Sequence, residues 1–172
     1  MTELSDRMLG MRGRSRKYQL RPLVLLLVPV ASILFQVYTP LFWGFFSFLE
    51  LPLLVTVYFS LMRRDPAMGA LIGCGIGLVQ DAFSSNPLGV FGMVKTLVGF
   101  FAAHVSGLFD VENAVIRFGL GFFFFLFHQF SYWVLVRALL GQTPPFDFPQ
   151  AMLFGLLNAA VAAPLFGLLD RL

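Results

Sequence analysis

The sequence GALIGCGIGLVQDAFSSNPLG, from Gly69 to Gly89, joins a glycine-rich apolar run to a short polar break. Four of its residues recur at intervals of four and so share one slowly drifting helix face: Gly69, Gly73, Gly77 and Asp81. Inside lipid, helices associate through close backbone approach, which glycine at this spacing permits. The pattern predicts a membrane helix whose glycine face packs against another helix of the bundle or against a partner helix.

The composition is that of a membrane protein. Of the 172 residues, 58% are apolar and 12% are charged, about half the charged share of an average soluble domain. Apolar runs close to the roughly 20 residues that cross a hydrocarbon core recur along the chain. We therefore expect a basic cytoplasmic tail at residues 1–21 and a single polytopic membrane domain at residues 22–172.

The expected fold is an all-α integral membrane protein, a compact bundle of about six transmembrane helices with both termini cytoplasmic. Pro29 should kink the first helix, and an aromatic-rich segment at 41–52 should form an interfacial connection or an irregular start to the second. The second helix should end at Arg63. The predicted limits of the other helices are about 22–38 for the first, then 67–79, 88–108, 115–139 and 149–169.

The orientation follows from the basic residues. The tail carries six basic and two acidic side chains, and a six-span path places Arg63, Arg64, Arg117 and Arg171 on the same side as the tail. That side is the cytoplasm by the positive-inside rule, with Arg137 as the main exception. A basic tail can also suggest nucleic-acid binding, but topology accounts for it, so no nucleic-acid partner is expected. Without a convincing cleavage site, the first apolar run is interpreted as an uncleaved helix.

The polar break is expected to form a tight outward turn between two packed helices. Ser84 and the two residues after it can satisfy backbone groups at a helix end, Pro87 can begin the next helix, and Gly89 allows close contact near its start. A carboxylate placed deeper in lipid costs about 2.5 to 3.5 kcal/mol, so Asp81 needs partners or water. We expect Asp81 to be hydrogen-bonded near the apex of the turn.

Lys95 and two histidines are the other ionisable groups of interest. Lys95 could pair with Asp81 or could extend outward to water. His104 should lie on the face of its helix opposite Lys95, and His128 should be an interhelical hydrogen-bonding group. Neither histidine belongs to a metal-binding pattern, and the sequence contains no nucleophile and base pattern and no phosphate-binding loop. No catalytic residue, cofactor or metal ligand is therefore predicted.

The segment LELPLLVTVYFSLMRRDPAMGALIGCGIGLVQDAFSSNPLGVFGMVKTLVGFFAAHVSG, from Leu49 to Gly107, resembles the rod shape-determining protein MreD family. An acidic residue and a proline open one span, a basic pair closes it, and a glycine-rich span ends on Asp81. The motif S-x-x-P-L-G follows from Ser84 to Gly89, before another glycine-bearing span. Lys95 is not a family feature, so no family role is carried onto it.

The resemblance implies a non-enzymatic inner-membrane scaffold subunit of the bacterial cell-elongation complex. Such a subunit supports cell shape and lateral peptidoglycan synthesis through MreC, a single-span partner, and indirectly through the MreB filament and the peptidoglycan synthases. The alternative is a substrate-binding membrane subunit of an energy-coupling factor transporter, which has a similar number of spans. Such a binder should concentrate polar and aromatic groups at one depth, whereas Lys95, His104, His128 and Asn158 are expected at scattered depths.

Overall fold

A computed structural model describes residues 22–39, 42, 44–84, 87–143 and 145–171. The predicted basic tail lies outside these residues. Within them the fold is all-helical and contains no strand, as expected. The six α-helices, numbered here in chain order, are α1 (Pro22–Tyr38), α2 (Leu51–Arg63), α3 (Pro66–Phe83), α4 (Val90–Val105), α5 (Ala114–Leu140) and α6 (Phe148–Leu169), and a short 3-10 helix (Gly44–Phe48) precedes α2.

Three of the helices, α3, α5 and α6, are long and apolar enough to cross a membrane, while α1, α2 and α4 are shorter apolar helices. Six spans and cytoplasmic termini therefore remain predictions. The third helix was predicted to stop near Val79, which is wrong, because it continues to Phe83. Its last turn includes Gln80 and Asp81, and both side chains are buried in the bundle.

Helix starts follow from local capping residues. The Asp65 carboxylate accepts a hydrogen bond from the Ala67 N–H at 2.9 Å, and Pro66 occupies the first position of α3, where its missing N–H is not needed. Asn113 caps α5 in the same way, through the Val115 N–H at 2.9 Å. These caps fix where α3 and α5 begin.

Helix α2 lies at the centre of the bundle. Every residue from Pro52 to Leu61 is buried, and α2 contacts α1, α3, α4, α5 and α6. A helix that is surrounded on all sides must be apolar all round. The buried Thr56 hydroxyl finds its partner within α2 itself, where it donates to the Pro52 carbonyl at 2.8 Å.

Small residues also join α5 to α6. A Cβ atom added at Gly121 would lie 2.7 Å from the Ala162 Cβ atom, and one added at Gly155 would lie 3.0 Å from the Phe122 ring. Gly155 and Ala162 of α6 therefore face α5. Helix α1 is peripheral, and its leucines at 23, 26 and 27 are more than half exposed.

A partly buried polar contact closes the end of the bundle opposite the α3–α4 connection. Arg117 of α5 forms an ion pair with Asp170, the C-cap residue of α6, at 2.6 Å, and its Nε donates to the Val111 carbonyl at 2.7 Å. The Tyr58 hydroxyl of α2 donates to the same carboxylate at 3.0 Å. Arg117 was interpreted from the sequence only as a topology signal, and this connection between three helices was not predicted.

Candidate functional site

The candidate site is the tight contact between α3 and α4 together with the connection that joins them. This connection, called here the α3–α4 turn, comprises residues 84–89, of which 85 and 86 lie outside the described residues. The predicted roles of Ser85 and Asn86 at the helix end therefore stay predictions. The other predicted site residues, from Gly69 to Lys95, all lie in or next to this hairpin.

The glycine face of α3 lies directly against the backbone of α4. A Cβ atom added at Gly73 would collide with the Lys95 carbonyl oxygen, and one added at Gly77 would collide with the Phe91 carbonyl oxygen. One turn further along, a Cβ atom at Gly69 would collide with the carbonyl oxygen of Gly99. The two backbones therefore touch at three successive levels, with no room for a side chain at any of them.

The Asp81 carboxylate binds the first turn of α4. Its Oδ2 atom accepts from the Gly89 N–H at 2.9 Å and from the Gly92 N–H at 3.0 Å, and its Oδ1 atom accepts from the Phe91 N–H at 3.1 Å. The Asp81 side chain is 1% exposed. The N–H groups of a first helical turn lack partners within their own helix, and their positive partial charge attracts an anion. Asp81 thus caps α4 from the end of α3.

The rest of the α3–α4 turn corrects two predictions. Gly89 adopts φ +98°, and a Cβ atom there would have open space, so close contact was the wrong reason for this glycine. It is needed because a left-handed conformation is costly for other residues. Pro87 precedes α4, which begins only at Val90, so Pro87 does not start the helix. Ser84 does act at the helix end, since its hydroxyl donates to the Asp81 carbonyl at 3.2 Å.

Lys95 follows neither of its two predicted behaviours. Its side chain is fully buried, so extension to water was wrong. Its ammonium lies 4.7 Å above the centre of the Phe91 ring and does not reach salt-bridge distance of Asp81 or any other described carboxylate. The direct pair does not form because the Asp81 oxygens are directed at backbone N–H groups of α4.

His128 also differs from its prediction. The ring is 1% exposed and stacks on Phe91, with 6.0 Å between the ring centres. Neither ring nitrogen has a hydrogen-bond partner among the described residues, so the expected interhelical hydrogen bond is not formed. Lys95 and His128 were expected at different depths, yet both contact Phe91. His104 is exposed, away from both.

The described part of the chain offers few other places for a ligand. A search of these residues finds no group of three His, Cys, Asp or Glu side chains that could hold a metal ion. A cavity of about 220 Å³ lies between α5 and the start of α6, where Gln129, Tyr132, Asp147 and Gln150 contribute polar groups. An apolar groove of about 290 Å³ separates α1 from α3.

Comparison with known proteins supports the resemblance noted between Leu49 and Gly107. The sequence model of the family described as rod shape-determining protein MreD matches residues 16–172, nearly the whole chain. Comparison with curated proteins and with solved structures gives no match. The matched family is a membrane protein family that determines cell shape and is not known as an enzyme family. The chain therefore belongs to the rod shape-determining protein MreD family.

Proposed function

We propose that this chain is a non-enzymatic, multi-pass scaffold subunit of the bacterial cell-elongation complex in the inner membrane. In this role it supports cell shape and lateral peptidoglycan synthesis through an MreC-like single-span protein. Contact with the MreB filament and the peptidoglycan synthases is indirect, and lipid covers the remaining helix surface. The family match supports the cell-shape role. The close contact between α3 and α4 supports a rigid surface in this part of the bundle, to which a partner could bind.

The proposal includes six spans with both termini cytoplasmic. The three shorter helices would cross the membrane together with the segments that flank them, as α2 would with the 3-10 helix before it. Arg117 and Asp170 pair at the end of the bundle that would face the cytoplasm, which is also where α2 ends at Arg63. An excess of basic residues at that end agrees with the positive-inside rule.

The observation that carries the scaffold proposal is that the start of α4 is fixed to the end of α3. Three backbone N–H groups bind Asp81 just below the α3–α4 turn, and glycine contacts fix the two helices on either side. Leu88, two residues before α4, is 79% exposed, and Pro87 beside it is exposed as well. Exposed apolar residues next to a fixed helix start can receive the membrane-proximal segment of a partner at a low cost in conformational entropy.

Co-purification in mild detergent with every co-encoded membrane protein, followed by mass spectrometry, tests the proposal. We expect a stable partner with one span and a large outer domain. Leu88→Asp should reduce its recovery, because a charge placed at an apolar contact must be desolvated. Leu108→Asp is the matched control, since Leu108 is 74% exposed in the connection between α4 and α5. Equal recovery with both variants would show that the turn is not the contact.

The transporter alternative receives no support from the family match. The same experiment distinguishes the two functions, because a substrate-binding subunit should co-purify with a nucleotide-binding module. Recovery of that module in place of a single-span partner would contradict the scaffold proposal.

A further inference from the structure

The start of α2 lies inside the bundle, one to two turns below the α3–α4 turn. The Glu50 N–H donates to the Asn158 side-chain oxygen of α6 at 2.8 Å, and the Asn158 amide donates to the Phe48 carbonyl at 2.9 Å. Asn158 is fully buried. Irregular backbone at membrane depth is tolerated where protein groups satisfy it or where it lines a polar cavity. Asn158 satisfies part of this segment, and Glu50 is thereby held at depth.

Glu50 and Lys95 lie at similar depths. Helix α2 has 13 residues and its antiparallel neighbour α3 has 18, so α2 begins about 7 to 8 Å short of the far end of α3, at a rise of 1.5 Å per residue. Lys95 lies five residues after Val90, the first residue of α4. It is therefore also about 7 to 8 Å below the turn along the helix axis. An acidic and a basic side chain from different helices therefore meet the same layer of the bundle.

Three side chains in this layer carry buried polar atoms without a hydrogen-bond partner among the residues described. They belong to three different elements: one carboxylate oxygen, Oε2, of Glu50, the ammonium of Lys95, and both ring nitrogens of His128. Leaving such groups unsatisfied is unfavourable, and more so where the group is charged. Each of these atoms therefore needs a polar partner inside the bundle.

Lys95 and His128 both lie against Phe91, with the ammonium 4.7 Å from the ring centre and the imidazole centre 6.0 Å from it. The helix lengths place Glu50, directly before α2, at the same depth as Lys95. The Asp81 oxygens already accept three backbone hydrogen bonds, whereas Glu50 keeps a free oxygen. Glu50 and Lys95 nevertheless do not reach salt-bridge distance, although Lys95 requires a counter-charge in this apolar layer.

We propose that Glu50, Lys95 and His128 form a buried binding site for ordered water, which links the ammonium to the carboxylate and to the imidazole. A buried water typically makes two to four hydrogen bonds, and these side chains offer four unpaired atoms of both donor and acceptor type. The Lys95 ammonium disfavours a metal cation in this site, while Glu50 and Asp81 disfavour an anion. Water can accept from Lys95 and donate to Glu50 and His128.

The site has a structural consequence for the scaffold. A water-bridged hydrogen bond is nearly as favourable as a direct one, so the bridge would connect the start of α2 with α4 and α5. Asn158 holds the same segment to α6. The first turn of α2 is then fixed from three sides, directly below the turn proposed to receive the partner.

X-ray radiolytic labelling of the intact wild-type protein in detergent tests the site without any substitution. Hydroxyl radicals formed from bound water oxidise side chains next to it even when they are buried. We expect His128 to be labelled several-fold faster than Phe124 after correction for intrinsic reactivity. Phe124 is on the same helix and equally buried, but it belongs to the apolar core. Equal, background labelling of both residues would overturn the proposal.

A double-mutant cycle tests the link between the two charges. Glu50→Gln and Lys95→Met should each lower the unfolding temperature, and the double variant should be more stable than the less stable single variant, since it leaves no unpaired charge. His128 labelling should fall in the double variant. The control cycle combines Lys95→Met with Asp110→Asn, a substitution in an exposed loop. The stability changes of these two substitutions should be additive. Additive losses with unchanged labelling in the Glu50 and Lys95 cycle would reject the bridge.

Discussion

The cap that Asp81 places on α4 predicts a large loss of stability when its carboxylate is removed. Asp81→Ala eliminates three hydrogen bonds to a charged group, which typically contribute about 1.5 to 3 kcal/mol each. The Gly92 N–H is buried and would stay unsatisfied, whereas those of Gly89 and Phe91 are partly buried and can regain water. We therefore expect a loss of about 3 to 5 kcal/mol, below the full sum.

Asp81→Asn should cost less. Its side-chain oxygen can still accept from Gly89 and Gly92, which share one carboxylate oxygen in the structure, but its amide would face the Phe91 N–H. One hydrogen bond and the negative charge at the start of α4 are lost, which should cost about 1 to 2 kcal/mol. Adding Lys95→Met should not recover this loss, because no direct ion pair joins the two described side chains.

Reversible unfolding in mixed detergent and SDS micelles, followed by tryptophan fluorescence, measures these differences. Asp65→Ala is the matched control, because Asp65 caps α3 from an exposed position, through one hydrogen bond of 2.9 Å and one of 3.5 Å. An exposed cap of this kind contributes about 1 kcal/mol. If Asp81→Ala cost no more than Asp65→Ala, the buried cap would not stabilise the hairpin as argued, and rescue of Asp81→Asn by Lys95→Met would point to an ion pair instead.

Two further predictions concern packing and topology. Gly73→Leu should destabilise the bundle by about 3 kcal/mol or more, since its Cβ meets the backbone of α4. Gly75→Leu, on the open face of the same helix, should change stability by less than about 1 kcal/mol. Equal effects of the two substitutions in the unfolding assay would contradict the packing argument. In a Cys74→Ala background, an impermeant thiol reagent added to intact cells should label Thr143→Cys but not Gly107→Cys, and labelling of the latter would reject the six-span orientation.

The glycine face of α3 was predictable because its signal is local. A period of four marks one side of a helix wherever that helix lies, so Gly69, Gly73 and Gly77 could be assigned to a packing face from sequence. The partner of that face could not be read in the same way. A Cβ atom at any of them meets backbone atoms of α4, and backbone is common to every residue type.

Gly89 shows a second limit of sequence reasoning. Glycine is favoured both where helices approach closely and where φ is positive, and residue identity alone does not distinguish the two causes. Close contact was predicted, but the structure shows a left-handed residue with open space around it. The motif places Gly89 at a helix N-cap directly after a Pro-Leu pair, where the backbone reverses direction. The motif could therefore have indicated that Gly89 has a positive φ.

The polar contacts between helices were the least predictable part of the structure. Asp170 follows Arg117 by 53 positions, and the two are joined through the C-cap of α6, so no spacing rule connects them. Asp81 was recognised as needing partners, but its donors are backbone N–H groups 8 to 11 positions further along. Residue types do not show which backbone groups lack hydrogen-bond partners. A sequence therefore indicates that a polar side chain needs a partner, but it does not identify that partner.

These long-range contacts explain how a bundle in lipid can select one arrangement. Apolar side chains gain little by exchanging lipid for protein, so they do not favour one helix neighbour strongly over another. A polar contact does favour one arrangement, because polar groups left unpaired in a wrong arrangement cannot form hydrogen bonds to water inside the bilayer. Asp81 ties α3 to α4 at one end of the bundle, and Asp170 ties α5, α6 and α2 together at the other. Between these two ends, the glycine contacts require the helices to approach closely. A shift of one helix along its neighbour therefore cannot satisfy the polar contact at one end without breaking the contact at the other.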